Sequence, residues 1–496
     1  MNATAIKLRT DAWNAAMTAQ PGELDIEIPA TSIEGHVPDA LFGSRHLQNG
    51  PGWTKIDGRL AHPFDGHGLV RALQFRPDGS AHFRSRFVRT PAYVDERAAG
   101  HLVYRGLGTN PTDSLWRNLR APGPRNVANT TIQPWAGKLL AGWEGGRPYA
   151  LDHASLETIG EETFGGVLPD GAFLAHMRID AAQNRLVGCN LQMGMPSKFT
   201  FREFDTAGRQ VDSREAVIPG MHFVHDFVIT PRWYVLPGNP LTANLVAFVK
   251  ARLGMGTLIQ AIAPDDRQPG VVYLVPRGRP GPVRTIRLPQ RCFVVHFANA
   301  YDVDASHCAV EMCAFESFTF GEEFGFQGAH SPLDPGLPDR RTSIQRLYRA
   351  TIADDSTEAR WQQLSDYGMD FPRVHPAREG FAVPAIYASS RADRSKSDPF
   401  DSIVRVDAVD AEKPTELWHA GDDRFVGEPV FAPRPDAQHD DDGHVLVLVS
   451  DGTRAATRLC IFAAQRLGAG PVASVPLPLQ PYGFHGFWEA AASVAG

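Results

Sequence analysis

Four histidines stand where an imidazole is expensive: His176 in "FLAHMRID", His225 in "VHDFVIT", His296 in "FVVHFANAYD" and His485 in "PYGFHGFW". Each is flanked by apolar or aromatic residues near a strand-like run or a turn. An imidazole left without a partner there costs free energy, so each of the four calls for ligation or a hydrogen bond. The stretch "HFVHDFVITPRWYVLP", residues 222 to 237, even puts two histidines three apart at the head of a run that reads as buried strand. Neutral imidazole is the commonest protein ligand for metal ions. The four lie too far apart in the chain for a local zinc motif, whose ligands cluster within a few residues of one another. If they share a metal, the fold must bring them together. Cys308 and Cys313, beside His307 in "SHCAVEMCAF", alternate with apolar residues and read as strand packing rather than a thiolate site.

The elements that must position these groups are short and β-like. "KFTFREFD", "DFVITPRWYVL", "GVVYLVPR", "VRTIRLP", "SIQRLYRATI", "DSIVRVDA", "HVLVLVSD" and "TRLCIFAA" are divided by turn signals such as "RPDGS", "DTAGR" and "DDDGH". This spacing favours an all-β sandwich, barrel or propeller. A propeller suits distant ligands best, because the inner strands of successive blades face one axis. No composition break divides the chain, so a single domain over residues 1–496 is expected. The most loop-like stretches, 262–281 ("IAPDDRQPG…RGRPGP") and 433–443, read as surface insertions. Residues 240–264, "PLTANLVAFVKARLGMGTLIQAIAP", interrupt the β rhythm: they are strongly apolar, helix-compatible from Leu245 to Arg252, and carry only Lys250 and Arg252 as charges. The segment is read either as a helix packed on the domain or as a patch dipping into lipid with its cations at the headgroups.

Composition narrows the function classes. At 496 residues there is material for a large core, and a net charge of −7 with both signs scattered argues against nucleic-acid binding. Cys189, Cys292, Cys308, Cys313 and Cys460 are odd in number and irregular in spacing, which fits reduced thiols and a cytoplasmic location. The start, "MNATAIKLRTDAWNAAMTAQ", lacks the apolar stretch of a signal peptide, and no run of about 20 apolar residues could span a bilayer. Peripheral contact through 240–264 remains compatible with all of this.

The contexts "AHMRID", "HDFVIT", "FVVHFANAYD" and "PYGFHGFW" resemble, in order, the four histidine motifs of the carotenoid cleavage oxygenase family. "LQNGPG", "HPFDGHGLV", "NTTIQPWAGKLLAGWEGGRPYALD", "DFPRVHP" and "GEPVFAPR" agree as well, so the resemblance runs from about residue 30 to 490. It implies a seven-bladed β-propeller capped by loops and short helices, with one Fe(II) per chain held by His176, His225, His296 and His485. His222 has no counterpart in the pattern and is expected to be a polar neighbour. The resemblance further implies acids behind three ligands: Glu144 facing His225, Asp370 facing His296 and Glu428 facing His485. Asp370 departs from the family's glutamate by one methylene, which implies a backbone shift or a bridging water. Thr130 falls where the family places a small residue shielding one open iron position. His67 stands for the aspartate of the family's "FDGDG", and Asp302 for a common glutamate; both read as structural changes, in a tight turn with glycines at positive φ for residues 64–68.

The activity implied is cleavage of a carbon–carbon double bond by O₂ into two carbonyl products, with no reducing cosubstrate; the chain carries no dinucleotide fingerprint. One branch of the family cleaves carotenoids and apocarotenoids, yielding aldehydes of the retinal kind. Another cleaves stilbenes and phenylpropanoids such as isoeugenol, and there a lysine precedes the glutamate that corresponds to Glu144. Here that residue is Trp143, which cannot hold a phenolate but can line an apolar tunnel. With Phe64 and Tyr104 as further tunnel candidates and with the apolar 240–264 segment, the expected substrate is an apocarotenoid. Stilbene cleavage is the alternative. A non-catalytic ligand-binding propeller, or a hydrolase using another metal, is the reading from a different class.

Overall fold

The structure is a computed structural model describing residues 3–265, 267–318, 320, 344–396 and 399–494. Seven antiparallel sheets of four to six strands follow one another along the chain, and two further two-stranded ribbons lie outside them. The sheets are the blades of a seven-bladed propeller, as the sequence resemblance implied. Their innermost strands touch their neighbours around the ring, as Val228–Ile229 touches Phe293–Asp302, and Phe293–Asp302 touches Met369–Arg373.

The ring is closed twice. Gly486–Glu489 is the innermost strand of the first blade, pairing with Arg45–Gln48, and Glu34–Gly35 adds an outer strand to the seventh blade by pairing with Pro471–Pro478. Sequence alternation explains the blades themselves. In Ala81–Phe87 every second residue is buried, and in the outer strand Gln210–Ile218 exposed positions alternate with half-buried ones until the last turn inward. Central strands such as Gly443–Asp451 are buried on both faces and read as near-continuous apolar runs. Between blades the apolar faces merge into cores. One joins the third and fourth blades through Phe199, Phe201, Phe227 and Tyr234.

Innermost strands are broken where they carry chemistry. In the third blade Ala172–Phe173 and Arg178–Asp180 pair separately with Arg185–Gln192, leaving His176 in the gap. The seventh blade does the same: Arg424–Val426 and Val430–Pro433 both pair with Gly443–Asp451, and Glu428 lies between them. In Phe293–Asp302 the register slips around Phe297, next to His296. Each break takes a residue out of the pleat and lets its side chain turn inward.

Three sequence expectations need correction. "DFVITPRWYVLP" is not one strand but two, Val228–Ile229 and Trp233–Gly238, folded at Thr230, whose hydroxyl accepts from the amides of Arg232 and Trp233. Residues 262–281 are not one insertion: Val271–Pro276 is a buried strand of the fourth blade, and Ile262–Pro264 pairs with Leu241–Ala243 to carry the helix Leu245–Arg252. The glycines of "FDGHG" do not take positive φ. Gly66 is extended at φ −69°, and a side chain at Gly68 would run into the carbonyl of Ala128, so close approach of chains, not turn geometry, requires glycine there. His67 is structural, buried against Glu96 at 2.7 Å with Arg125 on the same carboxylate.

All five cysteines are buried and unpaired, and Cys308 and Cys313 sit in the strand His307–Phe315. Burial pushes the Cys292 thiol up to about 12, so these sulfurs behave as small apolar groups.

Candidate metal centre

The four histidines meet at the hub of the ring. All are at least nine-tenths buried, and one ring nitrogen from each lies within 4.8 Å of the others. His176 Nε2 is 3.1 Å from both His225 Nε2 and His485 Nε2. His222 takes no part: its Nε2 donates to the Pro219 carbonyl at 2.9 Å.

Carboxylates set the direction of three rings. His225 Nδ1 meets Glu144 Oε1, His296 Nδ1 meets Asp370 Oδ1 at 2.8 Å, and His485 Nδ1 meets Glu428 Oε1 at 2.8 Å. A carboxylate accepts, so each Nδ1 donates and each Nε2 keeps a lone pair aimed at the hub. His176 Nε2 can donate to only one of the two lone pairs 3.1 Å away at a time, whereas a cation among them would satisfy all the ring nitrogens. His296 Nε2 is moreover buried without a hydrogen-bond partner. Several convergent neutral imidazoles and no thiolate form a donor set that fits a divalent first-row metal such as Fe(II).

The electrostatics agree. Burial, then the neighbouring imidazoles, hold His176 well below its ordinary value, and burial brings His485 down to about 4 despite Glu428 beside it. Both are neutral at pH 7 and free to ligate. His296 moves up: burial lowers it, but Asp370, Asp226 and Glu428 together raise it by more, and an ion bound at Nε2 would take the place of that proton. Glu144 and Glu428 are held below the usual carboxylate range. Burial opposes this in both; His225, a backbone amide and His485 together outweigh it for Glu144, and Arg373, His485 and the Gly486 amide together do so for Glu428.

Asp370 reaches His296 directly. Its strand, Met369–Arg373, slips register after Asp370, and Phe371 adopts a left-handed φ of 53°. The backbone thus supplies the reach that the shorter side chain lacks, at the cost that a non-glycine residue bears in this region. Phe371 then packs on His296 and His485, with ring centroids 5.1 and 5.2 Å away.

A cavity of about 280 Å³ opens beside the histidines, with His225, His296 and His485 in its wall. The rest of the wall is largely aromatic and aliphatic, including Phe64, Phe223, Val295, Phe318 and Phe371. Thr130 lies on it, its hydroxyl shared between Asn129 and Glu144. Asn129 in turn holds the carbonyls of Phe64 and Gly66, which fixes Phe64 in the wall.

Two tunnel candidates are misplaced by sequence reasoning. Tyr104 is outside the cavity, its hydroxyl donating to the exposed Asp95. Trp143 is buried but does not line the cavity. It lies just past the end of the strand Lys138–Gly142, in the turn that carries Glu144 to His225, and its indole is buried and packs under Gly145. Phe64 does line the cavity; missed were the wall residues Phe223, Phe318 and Phe371, and Arg178 with Asp226, a buried ion pair against the hub.

Leu258 and Ile259 also line the cavity. They follow the helix Leu245–Arg252, on which Leu245 is 74% and Val246 65% exposed. A second helix, Leu115–Arg120, adds Trp116 at 68% exposure and is joined to the first segment through Asn118 and Gly254. No helix among the described residues is long and apolar enough to cross a membrane.

Propeller, four-histidine hub and apolar cavity together define the class. The description of the RPE65 family, retinal pigment epithelial membrane protein, matches residues 17–490, and the chain belongs to this family, the carotenoid cleavage oxygenases. It is 33% identical over 488 residues to the apocarotenoid-15,15'-oxygenase of Synechocystis sp., covering 96% of both chains. It is 29% identical over 492 residues to the isoeugenol monooxygenase of Pseudomonas putida, covering 96% of this chain and 97% of that one. The crystal structure of cobalt-substituted Synechocystis ACO matches it with a TM-score of 0.89 at 30% identity, over 97% of this chain and 99% of that one.

Proposed function

We propose that this chain is a non-haem Fe(II) dioxygenase that cleaves one carbon–carbon double bond of an apocarotenoid with O₂. Each carbon of the bond takes one oxygen atom, so two carbonyl products account for both atoms and no reductant is consumed. The observation that carries the reading is the largely apolar cavity whose wall holds His225, His296 and His485 of the four-imidazole cluster together with Leu258 and Ile259, which follow the exposed apolar helix Leu245–Arg252 in the chain. Fe(II), when bound by His176, His225, His296 and His485, supplies the redox-active centre for O₂ chemistry.

The protein's own residues do the rest. Glu144, Asp370 and Glu428 hold the Nδ1 protons and so keep Nε2 free for the ion. Thr130 narrows the open side between the hub and the cavity. Phe64, Phe223 and Phe371 confine a long flat hydrocarbon and exclude water from the cleavage position. The exposed side chains of the helices Leu115–Arg120 and Leu245–Arg252 rest in the lipid that holds the substrate, with Arg117, Arg120, Lys250 and Arg252 at the headgroups.

A polyene suits this wall better than a phenol. Among the described lining residues there is no lysine, and the hydroxyl of Tyr482 is committed to the Val426 carbonyl at 2.8 Å. The test is direct: purified protein is incubated with an apocarotenal and with a hydroxystilbene, and the aldehydes are identified by mass. Cleavage of the stilbene alone transfers the chain to the phenylpropanoid branch. Absence of any turnover by protein carrying one iron per chain would leave a binding protein.

A further inference from the structure

His176 differs from its three partners, for among the described residues no carboxylate hydrogen-bonds its Nδ1. The nearest, Asp226 Oδ1, is 3.8 Å away. Asp226 is 1% exposed, and its two oxygens are engaged elsewhere. Both accept from Arg178 Nη2 at 2.6 Å, Oδ1 accepts from the Phe227 amide at 2.7 Å, and Oδ2 accepts from the Phe297 amide at 2.9 Å. Arg178 also donates from Nε to the Phe227 carbonyl and from Nη1 to Glu379.

The partners are distributed in a telling way. Arg178 follows His176 by two residues, Phe227 follows His225 by two, and Phe297 follows His296 by one. One carboxylate therefore grips the third, fourth and fifth blades beside the ligand each carries. It does so where the strands are broken: Arg178 begins the second half of the split strand, and Phe297 sits at the register slip of Phe293–Asp302. A strand break left to itself has no reason to hold one geometry, because the ladder bonds that would fix it are missing.

We infer that Asp226, through Arg178 and the amides of Phe227 and Phe297, is a positioning residue that aims His176, His225 and His296 at one point without touching the ion. The inference rests on the four-histidine metal reading. It assigns to a group outside the coordination sphere the placement of three ligands at once, whereas Glu144, Asp370 and Glu428 each orient a single ring.

The test uses Co(II), whose visible bands report ligand geometry and whose titration gives affinity without turnover. Asp226→Asn places an amide against Arg178 or against the Phe297 amide, since it cannot accept on both sides. Glu203→Gln is the control: Glu203 is equally buried and accepts from Arg277, Arg185 and Tyr234, none of them bonded to a ligand histidine. Asp226→Asn should weaken Co(II) binding about 10- to 100-fold and shift the visible bands, while Glu203→Gln lowers thermal stability with bands and affinity unchanged. If Asp226→Asn does not fold, Arg178→Lys gives the same readout with the charge retained and the fork lost. Parental bands and affinity in the folded variant overturn the inference. So does an equal change in Glu203→Gln, which would mark the effect as general loosening. Failure of the parent protein to bind Co(II) would instead remove the metal reading beneath it.

Discussion

Lengthening Asp370 to glutamate looks like a repair, since the sequence resemblance implies glutamate at this place, yet the structure makes it a lesion. Asp370 Oδ1 already lies 2.8 Å from His296 Nδ1, the optimum for a charge-assisted bond, and the residue is buried, 6% exposed. One more methylene adds about 1.5 Å of reach. The carboxylate must then push the imidazole off the hub or fold back against Phe371, whose backbone is fixed at φ 53°. Overpacking of this kind costs about 1–3 kcal/mol. If that strain is relieved by tilting His296, the loss appears as metal affinity, about 10- to 100-fold at 1.4 kcal/mol per tenfold. Competition of the Fe(II)-loaded protein against a ferrous chelator measures it, with Asp370→Asn as a companion that keeps length and loses charge. Asp370→Glu that holds Fe(II) as tightly as the parent, with full cleavage, would refute the view that the backbone slip is matched to aspartate.

Alanine at His176, His225, His296 or His485 should abolish metal retention and cleavage together, whereas His222→Ala retains both; metal content of the purified variants decides. Glu144→Gln and Glu428→Gln should lower turnover about 10- to 100-fold with the fold intact by circular dichroism. Replacing the exposed Leu245, Val246 and Phe248 with serine should reduce co-sedimentation with anionic liposomes and turnover of vesicle-borne substrate, but not of detergent-solubilised substrate. Acid should destabilise the metal-free protein. His485 is held at about 4 when folded against its ordinary 6.5, so the unfolded chain takes up the proton first, and stability present above pH 6.5 is lost as pH falls towards 4. Urea midpoints across that window check the sign, and bound metal should protect.

What could be read beforehand divides along physical lines. The four ligands were legible because an imidazole among aromatic residues is unusual on any fold. Glu144, Asp370 and Glu428 were legible only through the resemblance; by themselves they are ordinary turn carboxylates. The strand runs were visible as apolar patterns, but not where they break. The fold at Thr230 hides inside an apolar stretch whose sole signal is Pro231. Tyr104 and Trp143 were misassigned because both lie in irregular stretches, where aromatic character does not say which way a side chain turns. Asp226 and Arg178, 48 residues apart, could be paired only once neighbouring blades were side by side.

The double closure of the ring also sets an order in time. His485 directly precedes Gly486–Glu489, the strand that completes the first blade, so the fourth ligand arrives on the segment that shuts the circle. During synthesis the other three imidazoles emerge earlier, on blades whose ends have not met. Any ion they capture is held by an open arc whose closure still carries the entropy of a very long loop. Once the last strand docks, ligation and ring closure reinforce each other, because metal binding to a site absent from the open chain contributes directly to folding. An ion bound there would thus act as a clasp between early and late portions of the polypeptide, and a ribosome-bound intermediate lacking that strand should exchange its metal freely while the finished ring retains it.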